Sequence, residues 1–233
     1  MRLSELAFAC FLYAQFTDYD DSYLSFLKAT NYRPDFVNPE HRRALLIWLN
    51  QWGCRQFAIE YHELASSEVL SWYNQFNSTL FDRDKNLWEL TEAEINSVAL
   101  AYEALSNKTA SFRKRKENTY SVSVGPTGAA KILFAIRRNA LVPWDDPRRR
   151  HYGYDGSGAS YLSYLHRVKS TLEDLKDACN RSGFRLTQLP KQLGRNDSTV
   201  PKLIDEYDWV TITKGWPLPT EDILRKWAQW SEI

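Results

Sequence analysis

Runs of alternating Val, Ile and Thr are nearly absent from this chain, whereas apolar residues recur three and four apart in segment after segment. Such spacing lines one stripe of a helix with apolar side chains, and the stripe turns inward. Residues 91–107 carry the strongest case. Thr91 and Glu94 have the spacing of a capping box, and Ile95, Val98, Ala99, Tyr102 and Leu105 follow at helical intervals. Residues 38–53 are nearly as clear: Asn38 as cap, Pro39 in the first turn, Leu45, Leu46, Leu49 and Trp52 as the stripe, Gly53 as the stop. Further helices are expected over 3–16, in a short stretch ending before Pro34, over 66–76, over 159–179, within 198–207, and over 219–230 capped by Thr220. Only nine glycines interrupt the chain, and residues 111–120 read as a basic loop. The expected fold class is all-α with short connections.

A chain of 233 residues that is 43% hydrophobic can bury a substantial core. Three scattered cysteines, Cys10, Cys54 and Cys179, form no C-x-x-C pair. They fit a reduced, cytoplasmic protein without a zinc or iron–sulfur framework, so no metal site is expected. The apolar run 6–14 is long enough for a signal-peptide core, but Glu5 replaces the basic leader and no clean cleavage site follows. No run approaches the ~20 apolar residues that cross a bilayer, so no membrane association is expected.

The formal net charge of +1 conceals an asymmetry. Residues 113–150 hold ten Lys or Arg against Glu117, Asp145 and Asp146, a net +7, and the rest of the chain is acidic. A concentrated basic segment on a near-neutral protein points to a local polyanion contact. Within it, Gly125 and Pro126 set a turn and a helix start, and the small residues Thr127, Gly128 and Ala129 leave the first amides open. Free amides at the positive end of a helix dipole seat a phosphate, with Lys131 one turn further on. Asp145 and Asp146 then precede Pro147 at the start of another helix, where an N-cap carboxylate is the ordinary reading. Arg148, Arg149 and Arg150 follow as candidate phosphate contacts, and Trp144, Tyr152 and Tyr154 as candidates to stack on a base.

These two turns together resemble the helix-hairpin-helix DNA glycosylases. Val124-Gly125-Pro126-Thr127-Gly128-Ala129 is similar to the family's hairpin and helix start, and Leu141-Val142-Pro143-Trp144-Asp145 to the approach to its catalytic aspartate. The likeness covers roughly residues 113–180. It implies two interlocked helical domains, residues 1–30 with 140–233 and residues 31–139, joined by a helix-hairpin-helix element with a cleft between them. It also implies a monomer that binds double-stranded DNA, everts a nucleotide and excises its base, with Asp145 as the catalytic group. DNA contacts then fall to Gly125, Thr127, Gly128, Lys131, Arg148 and Arg149.

Two departures refine the expectation. Thr127 stands where strand-cutting members carry a lysine, and a threonine forms no Schiff base, so a monofunctional enzyme without lyase activity is implied. Ser123 stands where the first hairpin glycine belongs, which leaves a monovalent cation on the hairpin carbonyls as the one open cofactor. The altered hairpin also keeps a second reading alive, a DNA-binding module that performs no chemistry. Repair of damaged bases and defence against modified bases of foreign DNA both fit the sequence.

Overall fold

The computed structural model describes the backbone of residues 1–230 and the side-chain surroundings of residues 1–226. Its described residues form a mostly helical chain in the order α1 (Leu3–Phe16), α2 (Tyr19–Ala29), α3 (Pro39–Gln51), α4 (His62–Phe76), α5 (Glu92–Ser106), β1 (Thr109–Arg115), β2 (Asn118–Ser123), α6 (Gly125–Ile136), α7 (Asp146–Tyr152), α8 (Gly158–Arg181), α9 (Leu189–Gln192), α10 (Val200–Asp208) and α11 (Glu221–Trp230). A π-helical turn, Trp209–Thr213, continues α10.

Local chemistry accounts for the helix starts. The Asn38 side chain accepts the Glu40 amide at 2.9 Å, with Pro39 as the first residue of α3. The Thr91 and Glu94 side chains cap each other's backbone amides at 3.3 and 2.9 Å. Of the expected α5 stripe, Ile95, Val98, Tyr102 and Leu105 are buried, but the inward alanine is Ala101 rather than Ala99. Helix α4 begins four residues before the expected position, at His62, and buries Ala65 and Val69.

The basic segment 111–120 is not a loop. β1 and β2 pair antiparallel in a two-stranded ribbon, with Phe112 opposite Ser121, Arg113 opposite Tyr120 and Arg115 opposite Asn118. Both faces are largely exposed beyond Ser111, so the ribbon has no inward face to impose an apolar alternation. Its root is pinned. Ser111 donates to the Gln56 carbonyl at 2.6 Å, Gln56 donates to the Val124 carbonyl at 2.7 Å, and the Val124 amide bonds Lys108 at 2.7 Å. Consequently α5 and α6 are joined by a ribbon and not by a tight glycine hairpin.

One main apolar core unites the helices. Leu6 and Phe26 from the N-terminal helices, Trp48 and Trp72 from α3 and α4, Phe134 from α6 and Tyr164 from α8 all belong to it. Residues from both of the expected interlocked domains contribute to it. Two glycines permit close approaches: a Cβ on Gly158 would lie 2.6 Å from the Ala99 carbonyl, and one on Gly128 would lie 2.8 Å from Gln56 Nε2. Among the described residues no helix is long and apolar enough to cross a membrane.

Candidate functional site

The N-termini of α6 and α7 meet through the Pro126 carbonyl. The Trp144 indole donates to it at 3.2 Å, and the Tyr102 hydroxyl donates to it at 3.3 Å and to the Gly156 carbonyl at 3.0 Å. Trp144 is fully buried, with its ring stacked on Tyr164 at 5.3 Å and edge-on to Tyr161 at 5.1 Å. This packing fixes the segment that delivers Asp145. A second bridge runs from Arg149 Nη1 to the Thr127 hydroxyl at 2.9 Å. The Gly125 turn, φ +67°, and the Asp145 turn thus form one surface although twenty residues separate them.

That surface opens on a cleft of about 310 Å³. Tyr13, Tyr19, Trp52 and Trp209 give it aromatic walls, and Thr127, Lys131 and Asp145 give it polar groups. Asp145 is the N-cap of α7: Oδ1 accepts the Arg148 amide at 3.1 Å, and Oδ2 accepts the Thr213 hydroxyl at 2.8 Å. Its side chain keeps 23% of its surface exposed. Asp146, the next residue, also lines the cleft but is half exposed, and it pairs with Arg149 at 3.1 Å and Arg150 at 2.6 Å. Of the two carboxylates, Asp145 is the one locked in place by hydrogen bonds within the cleft.

Behind Asp145 lies a buried chain of alternating charge. Arg148 Nε sits 3.6 Å from Asp145 Oδ1, and Arg148 Nη1 reaches Asp205 Oδ1 at 2.5 Å and the Pro143 carbonyl at 2.9 Å. Asp205 is 3.3 Å from Lys202, which in turn lies 3.2 Å from Glu206 and 3.7 Å from Asp20; Arg195 pairs with both of these acids. Burial pushes the Asp205 carboxyl up, but the Arg148 and Lys202 cations outweigh it and hold it below the usual carboxylate range. Burial likewise opposes the charge on Arg148, and the carboxylates of Asp205 and Asp145 reverse that, holding the guanidinium well above its ordinary value. Arg148 stays a cation and acts as an internal strut.

Several residues expected at a DNA surface have internal partners instead. Arg148 is 3% exposed, so its guanidinium serves Asp205 and Pro143 and presents no face to a phosphate. Gly128 is buried against Gln56, Val124 and Phe57, where its missing side chain allows packing and not ligand approach. Lys131 donates to the Trp52 carbonyl at 2.6 Å while still lining the cleft. Arg149 is mostly buried, over the Trp144 ring and against Thr127 and Asp146. Tyr152 is half-buried under Arg167 and lines a different cavity with Asp208, and Tyr154 packs near Trp144 at 6.0 Å. Gly125, Thr127 and Asp145 are the expected site residues that remain together and partly exposed.

The sequence reading did not find Tyr13, Tyr19, Trp52, Trp209 or Thr213, which come from four separate stretches of chain. Lys202, Asp205 and Glu206 did leave a signal, an ion-pair spacing of three and four along one helix. Such spacing ordinarily marks a solvated face, and only tertiary packing turns it inward. No group of three or more possible metal ligands occurs among the described residues. Compared with known proteins, the chain matches no family model, no curated protein and no solved structure.

Proposed function

We propose that the protein is a monofunctional DNA N-glycosylase, a hydrolase that excises a damaged or modified base from duplex DNA and leaves an abasic site. The observation that carries this reading is Asp145: a partly exposed carboxylate held at a helix N-terminus, in an aromatic cleft, beside the Gly125 turn. The helix-hairpin-helix glycosylase resemblance assigns the catalytic role to the same residue. A cleft of about 310 Å³ has room for a base everted from the stack.

In this reading the bond from C1′ of the deoxyribose to the base nitrogen breaks first, and the electron pair leaves with the base. The sugar becomes oxocarbenium-like, as in other glycoside cleavages. The Asp145 anion stabilises that cation and orients a water molecule. The water oxygen bonds to C1′, one of its protons leaves, and the departing base gains a proton. Thr213 and the Arg148 amide hold the carboxylate in one orientation, so little reorganisation accompanies the step. Thr127 cannot form a Schiff base, so the strand stays intact.

Asp145→Asn keeps a side chain that caps α7 but removes the negative charge. Mass spectrometry of bases released from duplexes holding oxidised, alkylated, deaminated or bulky modified bases is expected to show release by the wild type and at least about a 100-fold slower release by the variant. Full turnover by Asp145→Asn would overturn the assignment. A ribbon in place of the tight hairpin favours a second reading, a DNA-binding module without chemistry. Under that reading the wild type binds duplexes and releases no base from any of them.

A further inference from the structure

Six of the ten cations in residues 113–150 have partners within the chain. Lys131 and Arg137 donate to the Trp52 and Phe81 carbonyls, Arg138 to the Asp197 carbonyl, Arg148 to Asp205, and Arg149 and Arg150 to Asp146. The remaining four, Arg113, Lys114, Arg115 and Lys116, are consecutive and exposed. Among the described residues none of the four has a salt bridge or a side-chain hydrogen bond. All of them stand on the β1–β2 ribbon or at its tip, where Glu117 is the one acid.

We infer that this ribbon is an arm that grips duplex DNA by its phosphates, and that it supplies most of the protein's sequence-independent affinity for DNA. The identity of the partner rests on the proposed function; the charge and shape of the ribbon do not. Unpaired cations on a projecting element release counterions from a polyphosphate without breaking any internal contact. Residues directly opposite or two apart in a ribbon share a face, so Arg113, Arg115 and the exposed Tyr120 line one side. On that side the two guanidinium groups are based ~6.6 Å apart along the strand. A two-stranded ribbon also fits the ~12 Å major groove of B-form DNA, whereas the major groove of duplex RNA is too narrow. The root hydrogen bonds through Gln56 tie the arm to the start of α6, which forms part of the cleft.

The test replaces Arg113, Lys114, Arg115 and Lys116 together by Ala and measures anisotropy of a labelled, lesion-free 20-base-pair duplex over a salt series. Circular dichroism and the melting temperature are expected to match the wild type, because these side chains hold nothing in the fold. Affinity at 0.1 M salt is expected to fall at least about 30-fold, and the slope of log affinity against log salt to shrink by about three. Unchanged affinity and slope would overturn the inference, as would tighter binding of duplex RNA than of DNA. If the four-alanine protein loses binding while the wild type releases no base from any duplex, the arm stands and the glycosylase reading falls.

Discussion

Asp145 combines two duties, capping α7 and carrying charge into the cleft, and substitution separates them. Asparagine still caps, so Asp145→Asn is expected to melt close to the wild type while losing base release. Alanine loses the cap as well, and Asp145→Ala is expected to cost about 1 kcal/mol of stability in urea titrations. Arg148 has the opposite profile, because it is buried among carboxylates. Removing it as Arg148→Met leaves Asp205 and Asp145 without their shared cation. A loss of about 3–5 kcal/mol is expected, read from the denaturation midpoint. The sequence singles out Asp145 through its position after Val142-Pro143-Trp144, but gives no sign of the burial of Arg148. Three consecutive arginines look alike in a string of letters, and only helix rotation decides that Arg148 points inward and Arg150 outward.

Capped helices with apolar stripes were legible because their signals are local: α3 and α5 begin at Asn38 and Thr91 as their side-chain chemistry requires. The ribbon was not, because a two-sided, solvated pair of strands needs no alternation, and its Lys and Arg residues resemble a loop. The π-turn Trp209–Thr213 was equally hidden, since its register is set by packing against α1 and α7 rather than by its own residues. The part of the cleft wall that Trp209 and Thr213 form is therefore absent from any local reading. Helix spacing provides a sharper check on the architecture. A methyl on Gly158 would meet the Ala99 carbonyl, a backbone atom, at 2.6 Å, so α8 must move away from α5. Gly158→Ala is expected to lose about 2 kcal/mol by calorimetry, although alanine is the better helix former.

At the scale of the whole molecule, one buried carboxyl, Asp208, makes its share of the stability depend on pH in a direction opposite to ordinary acid denaturation. Burial raises the Asp208 carboxyl from its usual value to about 6, against the opposing pull of Arg148 and a hydrogen bond from Tyr164. The native state therefore holds a proton between about pH 4 and 6 that the unfolded chain has already released. In that window unfolding releases a proton, so the contribution of this group falls as pH rises. The loss approaches its full size of about 2–3 kcal/mol above pH 6. Asp208→Asn keeps a partner for Tyr164 and removes the titration. It is expected to match the wild type at pH 4 and to exceed it by about 2 kcal/mol at pH 8, measured by urea unfolding at both values.

Thr213 and Trp209, which complete the cleft around Asp145, lie near the far end of the described chain. During synthesis on the ribosome, residue 145 emerges some seventy residues before the hydroxyl that orients it. An interrupted polypeptide would carry the basic ribbon but an unfinished cleft. Only translation carried past position 213 yields a molecule in which the basic ribbon and the completed cleft coexist.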